Sequence, residues 1–333
     1  MMQNKRILSG MRPTGKLHLG HLVGALNNWV KLQDEYECFF MVADWHALMS
    51  EYEHLKGLRE CIRDNAADWL ACGIDPERST IFIQSQVPQH LELYMAFSVL
   101  TPLGWLERCP TYKEQLREIK GRHLSTFAFL GYPVLQAADI ALYQAPVVPV
   151  GEDQLPHLEL TREIIRKFNG FYGEVFVEPK PLLASVPRLL GLDGRKMSKS
   201  YSNFIALSDS KETILKKTQS MFTDPKRIKK TDPGHPELCN VHRYFEIFVP
   251  EMKEKVEHWC RHAQAGCTEC KRILGEALVC LLEPISERRQ KVLEDEKTLE
   301  RIFADGRDKA SDVARHTMKA VRQAMRLVEC PTK

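Results

Sequence analysis

No stretch of this sequence is long and apolar enough to cross a bilayer. The strongest, Cys38 to Met49, is broken by Asp44 and His46 and falls far short of the ~20 apolar residues a spanning helix needs. The opening MMQNKRILSG lacks the apolar core of a secretory leader. A cytoplasmic protein with no membrane partner is therefore expected. Internal repeats and low-complexity tracts are also missing, which sets aside repeat arrays. The net charge of +3 is too small to demand a nucleic-acid partner. No Gly-Lys-Ser/Thr follows the glycines, so there is no Walker loop, and the GxGxxG of dinucleotide binders is absent as well. The ten cysteines are not a disulfide framework in a reducing compartment.

What is there is a chain of 333 residues, enough for a full core and two domains. Residues 5–9 read as a strand running into a Gly/Pro-rich turn. From Gly20 the pattern becomes helical: Leu22, Leu26, Trp29 and Val30 share one face. A second strand is expected at Cys38–Ala43, a helix at 56–72, and a third strand at Ser79–Ser85. This rhythm predicts an α/β fold, a Rossmann-like doubly wound parallel sheet that binds its ligand at the carboxyl ends of its strands. Residues 105–180 read as an insertion. They carry helical runs at Glu114–Lys120, Leu135–Tyr143 and Leu155–Phe168 and a strand candidate at Pro146–Val150. Beyond residue 205 the chain reads as α-helical. Its last helix keeps Ala314, Met318, Val321, Met325 and Val328 on one face. The expected division is 1–104, 105–180, 181–205 and 206–333.

Two strings carry chemistry. Thr14-Gly15-Lys16-Leu17-His18-Leu19-Gly20-His21 places two imidazoles and two glycines where a strand turns into a helix. Free N–H groups at a helix start, with glycines allowing close approach, make an anion site. Lys196-Met197-Ser198-Lys199-Ser200 places two ammonium groups on a polar loop after Gly191 and Gly194. Such lysines stabilise charge that develops on a transferring phosphate. Residues 211–230 add seven Lys or Arg against only Glu212 and Asp224, a local basic patch.

The pair of strings resembles the signature of class I aminoacyl-tRNA synthetases. The segments between them, among them Gly73-Ile74-Asp75-Pro76, Ala137-Ala138-Asp139-Ile140, Pro149-Val150-Gly151-Glu152-Asp153-Gln154 and His157-Leu158-Glu159-Leu160-Thr161-Arg162, resemble the bacterial tryptophanyl branch. The resemblance implies activation of L-tryptophan by ATP with Mg2+, transfer to tRNA(Trp), a homodimer joined through 105–180 and a helical anticodon-binding domain. It also implies residue roles. Arg12, Pro13, Thr14, Gly20 and His21 would hold ATP from the turn. Gly151, Glu152 and Asp153 would meet the ribose, backbone near Val186 the adenine, and Lys113 a phosphate. Lys196, Met197, Ser198, Lys199 and Ser200 would hold the pyrophosphate. His18, His21, Lys196 and Lys199 are the expected catalytic set. Asp139 would accept the indole N–H, with His46, Gln154 and Gln136 beside it; Gln136 stands where the family often packs a methionine. An indole offers one donor and no acceptor, so a carboxylate in an apolar pocket selects it. Two alternatives stay open: the tyrosine enzyme of the same fold, and a tRNA-binding or redox-responsive relative that activates nothing.

Cys239, Cys260, Cys267 and Cys270 form C-x20-C-x6-C-x2-C. Structural zinc generally takes two close pairs, and only one exists here. Four unevenly spaced thiolates suit a [4Fe–4S] cluster at least as well. The pattern resembles the cluster-bearing members of the same family, whose first gap is a little longer. Zn2+ is the alternative.

Overall fold

The computed structural model describes residues 5–110, 112–113, 124–183, 189–197 and 201–328. The helical run expected at Glu114–Lys120 lies outside them. Five strands, β1 (Arg6–Met11), β2 (Glu37–Val42), β3 (Ser79–Ile83), β4 (Val147–Val150) and β5 (Lys180–Leu183), form one parallel sheet in the order β3-β2-β1-β4-β5. In β2 every residue after Glu37 is buried, as expected where helices cover both faces of a parallel sheet. Side chains alternate between those faces. Cys38, Phe40 and Val42 enter one core with Trp29 and Trp69; Phe39 and Met41 enter the other with Phe82, Tyr143 and Phe97. Trp29 stacks on Phe40 at 4.5 Å between ring centroids and meets Trp69 edge-on at 5.1 Å.

The helices are α1 (Leu19–His21), running through a π turn (Leu22–Leu26) into α2 (Asn27–Leu32), then α3 (Asp44–Glu51), α4 (Leu58–Ala71), α5 (Gln89–Ser98), α6 (Leu103–Glu107), α7 (Phe127–Leu142) and α8 (Leu155–Tyr172). Beyond the sheet come α9 (Lys211–Gln219), α10 (Asn240–Phe248), α11 (Lys253–Arg261), α12 (Cys267–Glu294) and α13 (Glu296–Ala324). The stretch 105–180, expected as an insertion, supplies α7, β4 and α8, and β4 pairs with β1 through Ile7 and Val147. It is thus woven into the sheet, and the strand order turns at β1 and β4. A crevice opens there, outside the carboxyl ends of the strands.

The last helix returns to the sheet. Ala310, Ala314, Met318 and Val321 of α13 enter the same core as Phe82. Gly306 lies so close to the backbone of Ile81 in β3 that a Cβ would collide with the Ile81 carbonyl. Arg322 fixes the far end by a fork of two 2.6 Å bonds to Glu92 on α5. The expected apolar face stops short of Val328, which lies past the helix end and is 95% exposed.

Candidate functional site

A cavity of about 630 Å3 fills the crevice at β1 and β4. Ser9 to Arg12 of β1 and its turn, and Val148 to Gly151 of β4 and its turn, form the floor; α7 forms one wall. Gly10 is required here. A Cβ would stand 2.5 Å from the Met41 carbonyl oxygen in β2.

One end of the cavity is built on α7. Thr126 caps this helix, its hydroxyl accepting from the Phe129 N–H at 3.2 Å. Phe129, Tyr132, Gln136 and Asp139 follow at helical spacing and line the cavity. Asp139 is 2% exposed. His46 Nε2–H donates to its Oδ2 at 2.7 Å, while His90 Nδ1 and Gln84 Nε2 lie 2.6 and 2.8 Å from Oδ1. Burial opposes ionisation of this carboxyl, but His46 and His90 outweigh it and hold the group down at about 2. Behind His90, its Nε2 meets the Tyr143 hydroxyl at 2.9 Å. Beside Asp139, Tyr132 Oη lies 2.9 Å from His157 Nε2, and His157 Nδ1 lies 3.6 Å from Cys109 Sγ. Burial pushes His157 down to about 4, so this imidazole is neutral at pH 7.

The other end is the turn before α1. Gly15 has φ +107°, a left-handed conformation natural to glycine. His18 caps α1 through a reciprocal pair of bonds. Its Nδ1 accepts from the Gly20 N–H, and His21 Nδ1 accepts from the His18 N–H, each at 3.2 Å. Both Nδ1 atoms act as acceptors, so both histidines carry hydrogen on Nε2. The π turn that follows places Gly24 and Ala25 on the cavity, a common use of such turns at functional sites.

The two strings of the sequence meet here. Leu19 N–H donates to the Ile205 carbonyl at 3.1 Å and Leu207 N–H to that of Leu17 at 2.9 Å. A Cβ on Gly20 would stand 3.1 Å from Met197 Sδ. The loop's base is a tight reversal: Gly191 N–H donates to the Arg195 carbonyl at 2.7 Å, and Asn203 Nδ2 donates to that of Lys196 at 3.2 Å. Lys196 itself is exposed.

Of the expected nucleotide-side residues, Arg12, His21, Gly151 and Asp153 line the cavity; on the amino-acid side His46, Gln136, Asp139 and Gln154 do. Pro13, Thr14, His18, Gly20, Lys113, Glu152, Lys196 and Met197 are described but do not line it. Val186, Ser198, Lys199 and Ser200 lie outside the described residues. Sequence reasoning missed His90, Gln84, Tyr132 and His157. For Tyr132 the signal was available, because it stands one and two turns before Gln136 and Asp139. His90 and Gln84 reach Asp139 from other elements, a placement that only the fold makes.

The four cysteines gather between α10, α11 and α12. Burial raises Cys239, Cys260 and Cys270, the last to about 11, and the neighbouring thiols of the set raise them further. Gly234 leaves room for Cys260 Sγ, which a Cβ there would strike. Among the described residues no three His, Cys, Asp or Glu side chains converge as ligands of one ion. No helix among them is long and apolar enough to cross a membrane.

Comparison with known proteins covers nearly the whole chain. A family profile described as tRNA synthetases class I (W and Y) matches residues 2–283. The tryptophan--tRNA ligase of Thermotoga maritima is 52% identical over 97% of this chain and 99% of its own. That of Aquifex aeolicus is 45% identical, over 97% and 100%. A crystal structure of the Campylobacter jejuni tryptophanyl-tRNA synthetase complexed with ADP and tryptophan superposes with a TM-score of 0.88. It is 33% identical and covers 97% of this chain and 100% of that one.

Proposed function

This chain belongs to the class I tRNA synthetases of the tryptophan and tyrosine group, and from that membership we propose that it is the ligase that joins tryptophan to tRNA(Trp). It binds ATP and tryptophan in the cavity at β1 and β4. The observation that carries the choice of amino acid is Asp139, a buried carboxylate held ionised at one end of that cavity. Three donors already fix its two oxygens, and an ionised carboxylate offers about four acceptor positions. The indole N–H takes the remaining one. A side chain without that donor leaves a buried acceptor unpaired, which is the mismatch that discriminates strongly.

The tryptophan carboxylate attacks the α-phosphorus of ATP. A P–O bond forms, the bond to pyrophosphate breaks, and pyrophosphate leaves. A terminal ribose hydroxyl of the tRNA then attacks the activated carbonyl and releases AMP. The carboxylate is already a nucleophile, so positioning and charge stabilisation carry the first step. His21 offers its Nε2–H from the cavity wall with His18 capping behind it, Arg12 and Asp153 flank the nucleotide, and His18, Lys196 and Lys199 complete the set that stabilises the departing pyrophosphate. Magnesium bound with ATP supplies further neutralisation of the phosphates. Exposed Met95, Val99, Leu103 and Phe127, on α5, just past its end, and on α6 and α7, give a second copy apolar side chains to cover, supporting a homodimer. The expected location is cytoplasmic.

Cys239, Cys260, Cys267 and Cys270 would hold a [4Fe–4S] cluster. The four thiols lie close enough to raise one another, and a cube takes one thiolate per iron. The cluster would tie loops of the anticodon-binding part together. The basic stretch lies against it, with Arg227 donating to the Lys230 and Ala265 carbonyls at 2.8 and 2.9 Å. ATP–pyrophosphate exchange with tryptophan and with tyrosine tests the main reading; exchange with tyrosine alone overturns it. Metal analysis after anaerobic purification tests the second, and zinc without iron overturns it.

A further inference from the structure

The glycine turn is held from behind by α4. Asn65 Nδ2 donates to the Gly15 carbonyl at 3.1 Å. One turn later on the same helix, Asp68 stands behind the same turn, where the backbone N–H of Leu17, between Gly15 and His18, helps to lower its carboxyl. The same carboxylate faces the other way. Arg289 on α12 donates Nε–H to Asp68 Oδ1 at 2.7 Å and Nη2–H to Asp64 Oδ1 at 2.6 Å. Its neighbour Arg288 donates to the Ala71 carbonyl at 2.7 Å. Asp68 is 2% exposed.

α12 is a rod of 28 residues, about 40 Å at 1.5 Å per residue. Its first turn carries Cys267 and Cys270; its last turns carry Arg288 and Arg289. Pro284 sits one turn before the arginines and removes a rung of the helix ladder, so the rod bends there at low cost. One end of α12 therefore shares the cysteine site and the basic stretch, and the other grips the carboxylate that holds the nucleotide turn.

We propose that Asp68 is a positioning residue for ATP, transmitting the seating of α12 through Arg289 to the turn around Leu17. It touches no substrate. It acts by fixing where the N–H groups ahead of α1 point, and those groups serve the nucleotide and not the amino acid. A seat change at the cysteine end thereby alters ATP binding while Asp139 stays as it is.

The carboxylate also gives the relay a readout in pH. Burial raises Asp68 to about 6, Arg289 lowers it, and Asp64 raises it. Cys72, just past the end of α4, faces it too, with Arg288 beside that thiol; from the turn it meets a backbone N–H. An ionised Asp68 accepts from Arg289 and attracts the Leu17 N–H. Removing the guanidinium charge takes away a lowering influence, so the acidic limb moves to higher pH.

The test uses the full-length protein, with exchange measured against ATP and against tryptophan over pH 5 to 8. It rests on the ligase reading, so wild-type exchange with tryptophan is run first. Arg289→Gln is expected to raise KM for ATP about tenfold, leave KM for tryptophan within twofold, and move the acidic limb of kcat/KM for ATP upward. Arg289→Lys is expected to restore part of each. Asp68→Asn is expected to raise KM for ATP and abolish the limb. Hydrogen–deuterium exchange at the Leu17 amide supplies a readout independent of activity: protected in the wild type, fast in Arg289→Gln. That measurement stands even where exchange with tryptophan fails. Wild-type KM for ATP with an unmoved limb in Arg289→Gln, or equal damage to both substrates, overturns the relay.

Discussion

At the Asp139 end of the cavity the anchoring groups are largely buried side chains on helices and on the turn after β3, bonded to one another. At the glycine-turn end they are backbone N–H groups, two capping histidines and an exposed lysine on a loop. The first end offers a fixed charge in a fixed place before any ligand arrives. The second leaves its cation exposed on a loop, where it meets a phosphate on the proposed reading. Recognition of an indole needs the former, because a carboxylate free to find water would accept any donor. Stabilising a leaving pyrophosphate needs charge that follows the reaction, which suits a loop on a glycine-rich base.

The contrast is broken most directly at Asp139. Asp139→Asn removes the charge that His46 and His90 were placed around. The expected loss in kcat/KM for tryptophan is on the order of 10³-fold or more, since a buried polar mismatch discriminates on that scale. A loss under tenfold would mean that the carboxylate is not the recognition element. At the opposite end, Lys196→Ala is expected to lower kcat by roughly 10²-fold while KM for tryptophan stays near the wild-type value. A change chiefly in KM for tryptophan would erase the distinction between the two ends.

A finer test is the direction in which each end responds to acid. His157 is held neutral, below its unfolded value of 6.5 and down to about 4. The unfolded chain therefore takes up the proton first, and stability falls as pH drops from 6.5 toward 4. Asp139, lowered from 3.8 to about 2, stabilises the fold above pH 4 and loses that contribution toward pH 2. Asp68 runs the other way. Its folded value is raised from 3.8 to about 6, so acidification through that window relieves a cost. Melting midpoints between pH 7 and 4 should decline more steeply in Asp68→Asn than in the wild type, and less steeply in His157→Gln. Parallel slopes would refute both assignments.

The smallest effect belongs to the cap. His18→Asn keeps an N-cap acceptor, whereas His18→Ala removes it at about 1 kcal/mol. Thermal midpoints of the two variants should differ by that much. Exchange activity should fall in both, because Nε2 is lost either way.

Most of this site could be read in the sequence because its residues sit on short motifs. The turn from Thr14 to His21 and the lysine loop announce themselves, and Asp139 stands out as a charge among Ala137, Ala138 and Ile140. What escaped came from partners distant in the chain. His90 and Gln84 look like ordinary members of a helix and a strand end until the sheet sets them against α7. β5 also escaped, since Lys180-Pro181-Leu182-Leu183 shows no alternation and carries a proline, tolerable only because the strand is at the sheet edge. The first three strands were legible as short apolar runs and the early helices as apolar faces or by their stop signals, and they appear near the expected bounds. The reading of 105–180 as an insertion missed β4's place beside β1, because a four-residue strand does not declare its neighbour.

Gly306 has a consequence for how the molecule comes to exist. β3 is an edge strand, and its cover is a helix made long after it; Arg322 finds Glu92 across 230 residues. Between the completion of β5 and the emergence of α13 the nascent chain therefore carries a run of strands with the β3 side open, the configuration that invites foreign strands to add on. The absence of a single side chain at position 306 is what lets α13 shut that side once it emerges. α13 acts as a closing seal on a sheet drawn up well before it.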